Sequence, residues 1–210
     1  MHKATPELIQ QIVSEVLNEI ELEAIPIGIS NRHVHLTEQD FQQLFPGETL
    51  TPMKPLKQPG EFAAEQTVTI VGSKGEQSRV RILGPFRKRS QAEISMTDTR
   101  TLGIPAPVRL SGHLEDAAEV TLKNGEHCVT IKGCIVAKRH IHMSFKDMAR
   151  FKLSAGDTVS VRVKTEERTT LFEDVEIRPG EKFILEMHVD TDEANAANIK
   201  PDTVGSLIRR

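Results

Sequence analysis

With 210 residues, 38% of them hydrophobic, the chain is long enough to bury a sizeable core, as one large domain or two small ones. A net charge of −3 gives no bulk attraction to nucleic acid or to an acidic membrane, so an anionic ligand must be held by a local basic patch. The two cysteines, Cys128 and Cys134, form neither a Cys-x-x-Cys pair nor a disulfide framework, and no apolar run is long enough to span a bilayer. These features predict an intracellular protein in a reducing compartment, with both cysteines as buried small apolar residues in preference to metal thiolates.

The first element predicted is an amphipathic helix over Pro6–Glu23, with Thr5 as N-cap and Pro6 at the first helical position. Leu8, Ile9, Ile12, Val13, Val16, Leu17 and Ile20 form one stripe at helical spacing, and Glu7, Gln11, Glu15 and Glu19 lie elsewhere on the circle. An acidic polar face argues against an anionic membrane. Two readings stay open: a helix packed on its own domain or on a dimer mate, and a docking peptide for a partner's groove.

A strand over Ile25–Ile29 then leads into Arg32-His33-Val34-His35-Leu36-Thr37-Glu38-Gln39-Asp40. The phrase returns as Arg139-His140-Ile141-His142-Met143-Ser144-Phe145-Lys146-Asp147. Both copies read Arg-His-β-branched-His-apolar-Thr/Ser-x-x-Asp. In a strand, residues i and i+2 project to one side, so each His-x-His offers two imidazoles to one point in space. Thr37 and Ser144 are N-cap residues with Asp40 and Asp147 at N3, which places each histidine pair where a strand ends and a helix begins. A duplicated metal-ligand pair implies two similar halves, and the two arginines are left without a role.

Pro46–Pro59, with four prolines, reads as a loop or lid. Thr67–Val71 and Arg79–Leu83 flank a Gly-Ser-Lys-Gly turn as a hairpin should. Further strands are expected at Glu119–Lys123, Cys128–Ile131, Ile135–Lys138, Thr158–Lys164, Thr170–Ile177 and Phe183–Val189. Strands this numerous, with helices confined to short caps, predict a mainly β protein of two small β-barrels.

Two histidine pairs need further ligands, because catalytic zinc usually takes three from the protein. His188 ends an apolar strand before an Asp-rich helix start, repeating the placement of the other four. Glu93, between small and apolar residues, is costly to bury without a partner. His2, His113 and His127 sit in a tail or in polar turns. The basic patch is Arg87-Lys88-Arg89, upstream of Glu93, with Lys74 and Arg81 on the preceding hairpin. A guanidinium there suits phosphate, while Lys88 and Arg89 read as solvated charges. No P-loop, dinucleotide-binding fingerprint or serine-nucleophile elbow is present.

Ser30-Asn31-Arg32-His33-Val34-His35-Leu36, Leu83-Gly84-Pro85-Phe86-Arg87, Gln91-Ala92-Glu93-Ile94-Ser95, Arg139-His140-Ile141-His142-Met143-Ser144 and Glu186–Asn195 together resemble the phosphate propanoyltransferase family, the phosphotransacylases of propanediol utilisation. The resemblance runs from about Pro26 to near the C-terminus. It implies two β-barrels capped by short helices, one over 25–31 plus 138–210 and the other over 32–137. It also implies two zinc ions, held by His33, His35 and Glu93 and by His140, His142 and His188, with iron or cobalt equally suited to such ligands. By the same resemblance Arg87 binds phosphate, and Ile29, Ser30, Asn31, Lys74, Arg81 and Asn195 line a coenzyme A site to which Ser111 also belongs. His113 departs from the family pattern after the Ser-Gly pair. The implied reaction is reversible transfer of a propanoyl or acetyl group between coenzyme A and inorganic phosphate, in a homodimer or higher oligomer. Family members of bacterial microcompartments carry an N-terminal encapsulation helix, which residues 1–24 resemble, so shell or core proteins become candidate partners. Two other classes fit the bare residues: a dinuclear metal-dependent hydrolase, and a scaffold whose zinc is structural.

Overall fold

The structure is a computed structural model, and it describes residues 5, 6, 9–11, 13 and 24–208. Of the Pro6–Glu23 helix, Pro6, 9–11 and 13 are helical, with the Ile9 amide donating to the Thr5 carbonyl. The rest of that expectation lies outside the described residues. The chain then runs β1 (Ala24–Ser30), β2 (His33–His35), α1 (Glu38–Leu44), β3 (Pro52–Pro55), β4 (Phe62–Val71), β5 (Glu76–Gly84), β6 (Gln91–Ile94) and α2 (Met96–Leu102). After these come β7 (Val108–Arg109), β8 (Ala118–Asn124), β9 (His127–Ala137), β10 (His140–Met143), α3 (Phe145–Phe151), β11 (Thr158–Lys164), β12 (Thr169–Pro179), β13 (Glu186–Asp190), α4 (Thr191–Ala196) and β14 (Val204–Ile208).

The protein is mainly β, as the short alternating segments predict, and its strands close into two rings. One barrel runs β1-β13-β10-β12-β11-β14 and closes where Ala24 pairs with Ser206. In the other, β4, β5, β2, β6, β9 and β8 pair in turn and β8 returns to β4, with β3 and β7 added at edges. Each barrel is filled by its own apolar set. Ile25, Ile141, Met143, Val161, Val175, Ile177 and Met187 pack inside the first, and Val34, Phe41, Val68, Ile70, Ile82, Ala92, Leu122 and Cys134 inside the second. Closure removes the open sheet edges that would otherwise invite aggregation.

Strand β1 lies in the first barrel although β2 follows it directly in the second, and β9 hands over to β10 in the reverse direction. Each Arg-His-x-His phrase therefore begins at a crossing point between barrels. The pairing around it is repeated: β2 is antiparallel to β6 with His33 opposite Glu93, and β10 is antiparallel to β13 with His140 opposite His188. The duplicated phrase is thus a duplicated local fold.

The Gly-Ser-Lys-Gly hairpin forms, with the Gly72 amide donating to the Gly75 carbonyl. Cys128–Ile131 and Ile135–Lys138 merge into the single strand β9. The strand expected from Phe183 starts only at Glu186, because Phe183 and Ile184 belong to a loop gripped by the opposite barrel: Gln58 donates to the Ile184 carbonyl (3.0 Å) and accepts from its amide (3.2 Å). The proline-rich segment holds an exposed edge strand, β3, where missing amide donors are tolerated. Cys134 is buried, and burial with Asp98 nearby pushes its thiol up to about 12. Cys128 is exposed, because the outer end of β9 alternates into solvent. Among the described residues no helix is long and apolar enough to cross a membrane.

Candidate metal and anion site

The first triad is assembled by three neighbouring strands. His33 and His35 project from one side of β2, and Glu93 faces His33 from β6. Three ligand-competent atoms of His33, His35 and Glu93 lie within 4.8 Å of one another. His33 Nδ1 donates to the Asn31 carbonyl (2.8 Å) and His35 Nδ1 to the Leu83 carbonyl (3.2 Å). Both Nε2 atoms are thereby aimed at Glu93, at 3.5 and 4.0 Å. This backbone fixing of one ring nitrogen is the usual way a protein orients a metal-binding imidazole.

The second triad repeats the plan. Ligand-competent atoms of His140, His142 and His188 also lie within 4.8 Å, and His140 Nδ1 donates to the Lys138 carbonyl (2.8 Å). His140 Nε2 and both ring nitrogens of His142 are buried without a hydrogen-bond partner. Orphaned buried polar atoms are costly, and three of them converging in one imidazole cluster fit a cation. His188 Nε2 donates to Glu186 (2.8 Å), whose carboxylate also meets Lys57 Nζ at 3.0 Å. Gly28, opposite His188 on β1, leaves room for this carboxylate: a Cβ there would sit 2.9 Å from Glu186 Cδ.

Electrostatics differ between the triads. Burial opposes ionisation of Glu93, yet the charge and hydrogen bonding of His33, with His35 and Ser111 behind them, hold it well below the usual carboxylate range. Burial opposes protonation of His33, but Glu93 raises it above the ordinary imidazole value. Burial and the neighbouring cationic groups depress His35 well below that value. In the second triad burial comes first again, and with its histidine neighbours it lowers His140 to about 4 and His142 to about 2. Metals bind neutral imidazoles and an ionised carboxylate, the states favoured for His35, His140, His142 and Glu93, whereas His33 would give up a proton to bind one.

Both triads open into one cavity of about 370 Å³ between the barrels. Arg87 lines it, placed by its own backbone amide on the Leu36 carbonyl (2.8 Å) and by Phe86, which packs on Phe41 of α1. Arg87 donates to Ser111 Oγ (2.9 Å) and pairs with Glu61 (3.3 Å). Ser111 also accepts from Gln91, so it ties Arg87 to the strand that carries Glu93. Ile29, Ser30, Asn31, Arg81 and Ser111 line the same cavity, whereas Lys74 and Asn195 are exposed and do not line it. His113 and His127 are exposed, as are Lys88 and Arg89; His2 lies outside the described residues.

Among the cavity residues to which the sequence pattern assigns no role are Glu186 and Arg178, with Lys57, Gln58 and Glu61 beside them. The signal for Glu186 was its place two residues before His188, on the same side of the strand. Arg178 carries no such signal. The two phrase arginines acquire partners: Arg32 forks onto Asp98 (2.9 and 2.8 Å), and Arg139 donates to Glu193 (2.8 Å).

Fold and site together define a class: a two-barrel protein in which paired metal-competent triads and an arginine face one polar cavity. A family described as phosphate propanoyltransferase matches residues 26–200. A phosphate propanoyltransferase of Levilactobacillus brevis is 54% identical over 202 residues, 96% of each chain. Those of Shewanella putrefaciens and Salmonella typhimurium are 52% and 50% identical over 92% and 91% of this chain and of their own. The chain belongs to the phosphate propanoyltransferase family, and it is an acyltransferase.

Proposed function

We infer that this protein transfers a short acyl group, propanoyl or acetyl, reversibly between coenzyme A and inorganic phosphate. The observation that carries the reading is the convergence of two ligand triads and Arg87 on one cavity in a chain of this family. In the forward direction a phosphate oxygen bonds to the thioester carbonyl carbon and the C–S bond breaks with its electron pair on sulfur. Coenzyme A takes up the proton that hydrogen phosphate releases, and acyl phosphate remains. Thiolate is a fair leaving group, so no strong general acid is demanded.

His33, His35 and Glu93 would hold one divalent cation and His140, His142 and His188 the other, zinc in the first instance, with iron or cobalt equally compatible with these ligands. Such ions supply Lewis-acid polarisation of bound oxygens and help to align an anion. Arg87 binds phosphate through its guanidinium fork, and holding the nucleophile beside the thioester removes much of the entropic barrier to encounter. Ser111 and Glu61 keep that fork in place. Ile29, Ser30, Asn31, Arg81 and Ser111 contact coenzyme A within the cavity. Its nucleotide end extends beyond, where the exposed Lys74 and Asn195 are the contacts assigned to it. The barrels act as two units, 25–31 plus 138–210 and 32–137, with 46–59 as a flap. Residues 1–24 dock the enzyme to shell or core proteins of a bacterial microcompartment, and the working form is a homodimer or higher oligomer.

The test is release of coenzyme A from acetyl-, propanoyl- and butanoyl-CoA, with and without phosphate. Phosphate-dependent release is expected. Release that ignores phosphate would indicate a hydrolase, and no release a scaffold. An Arg87→Ala enzyme with full phosphate-dependent activity would remove Arg87 from its role.

A further inference from the structure

Among the described residues Arg178 is the one cavity-lining arginine whose guanidinium has neither an ion-pair nor a hydrogen-bond partner. Arg32 is paired with Asp98 and Arg87 with Glu61, and Arg81 donates to the Ala64 and Glu65 carbonyls. Among the described residues the Arg178 side chain makes no ion pair and no hydrogen bond to protein. It is partly buried on β12, directly opposite His142 of β10. Its guanidinium lies 5.9 Å from the ring centre of Phe183, and that ring packs at 4.5 Å on His142. A cation stacked in place and pointed into a cavity, with no carboxylate on it, is set up to meet an anion from outside the protein.

In the second barrel β2 and β5 run parallel as β10 and β12 do in the first, and continuing the His33–Arg81 and Val34–Ile82 register puts Leu83 opposite His35. Leu83 lines the cavity and gives its carbonyl to His35 Nδ1, but brings no charge. The duplicated framework therefore tolerates an apolar residue at this place, so the charge at Arg178 is not required to build a barrel. Burial lowers its pKa and nearby Arg87 does so too, while Glu93 and Glu61 act in the opposite sense. The two arginines are thus close enough to feel each other, and each comes from a different barrel.

We propose that Arg178 is a second phosphate-binding residue, closing with Arg87 a clamp across the cavity on the phosphate nucleophile and on the phosphoryl group of the acyl phosphate product. This rests on the phosphotransacylase reading. The clamp would act on phosphate and leave the thioester side alone, because Ser30 and Arg81 lie on other strands, β1 and β5, and Asn31 in the link from β1 to β2.

The experiment compares the metal-loaded wild type with Arg178→Gln and with Arg178→Leu, the latter keeping an apolar contact for Phe183. Initial rates are measured against phosphate at saturating acyl-CoA, and against acyl-CoA at saturating phosphate. The expected result is a rise of about tenfold or more in the KM for phosphate, with the KM for acyl-CoA and the bound zinc per chain within about twofold of wild type. An unchanged phosphate KM in a folded variant would overturn the assignment, and so would equal rises in both KM values or a loss of bound zinc. A wild type that releases coenzyme A without phosphate would overturn the functional reading itself, which separates the two failures. If Arg178→Gln does not fold, the same comparison on Arg178→Leu decides.

Discussion

At the residue scale the sharpest tension lies in the second triad, where His140 Nε2 and both His142 nitrogens are buried and unpaired. Burial holds His140 at about 4 and His142 at about 2, far below an ordinary imidazole. In the unfolded chain both take up protons near pH ~6.5. Below that pH the unfolded state binds more protons than the native one, so stability falls as pH falls, down to the folded-state values. For chelator-treated protein, His140 alone should remove about 3 kcal/mol between pH ~6.5 and ~4. Urea unfolding midpoints across this range check it, and a flat profile would mean these imidazoles are not held neutral. A second residue-scale expectation concerns Gly28, whose Cα is bare where a methyl group would press on Glu186 and His188. Gly28→Ala should lower zinc retained after dialysis and with it activity, while leaving the far ends of both barrels folded by circular dichroism. Retention equal to wild type would show that Glu186 moves freely. The four His-x-His residues were legible in the sequence because a strand repeats every two residues and the phrase occurs twice, whereas Glu93 and His188 were candidates by placement that only the family resemblance joined to them. Arg178 was not, since an arginine at the end of an alternating strand looks like any surface charge until the opposite barrel covers it.

At the scale of elements, the two arginines of the repeated phrase act alike. Glu93 and His188 each lie two residues before an N-cap, Ser95 or Asp190, and five before the N3 acid of a capping box, Asp98 or Glu193. Arg32 grips Asp98 and Arg139 grips Glu193, so each His-x-His strand is tied to the helix that follows the third member of its triad. Asp98 is buried and its partner only partly exposed. Asp98→Ala removes half of a capping box and leaves a guanidinium unpaired, which should destabilise by about 1–3 kcal/mol in urea unfolding. In a double-mutant cycle with Arg32→Ala the two losses should fall short of additive. Full additivity would mean that the tie contributes nothing beyond the cap. Helix α2 was readable in principle from Ser95-x-x-Asp98, but one capped turn between strands lacks the apolar periodicity that marks longer helices. Strand β3 was hidden by its prolines, which suit an edge and disguise it as a loop. The crossings between barrels after β1 and after β9 cannot be read from local pattern, because they depend on which distant strand each strand meets.

At the scale of the whole molecule, the cavity exists only where the barrels meet: one supplies His140, His142, His188 and Arg178, the other His33, His35, Glu93 and Arg87. Gln58 reaches across from the second barrel to the Ile184 backbone, and the Thr97 amide of α2 donates to Asp192 of α4 (2.7 Å). Each triad is nevertheless built from strands of a single barrel, so a metal ion bound there stabilises that barrel directly and its neighbour through these contacts. Free zinc at about a hundred times its Kd would add about 2.7 kcal/mol per site to a native state that binds it and an unfolded state that does not. Thermal unfolding of chelator-treated protein should therefore move upward on titration with zinc, and the shift should shrink when one triad is disabled by His142→Ala or by His35→Ala. Single variants that each keep part of the shift would point to two independent sites, and a shift abolished by either would mean that the sites bind as one unit. No upward shift in the wild type would remove metal from both triads. The orphaned nitrogens of His140 and His142 would then need another partner, and the anion in the cavity would be left to Arg87 and Arg178 alone.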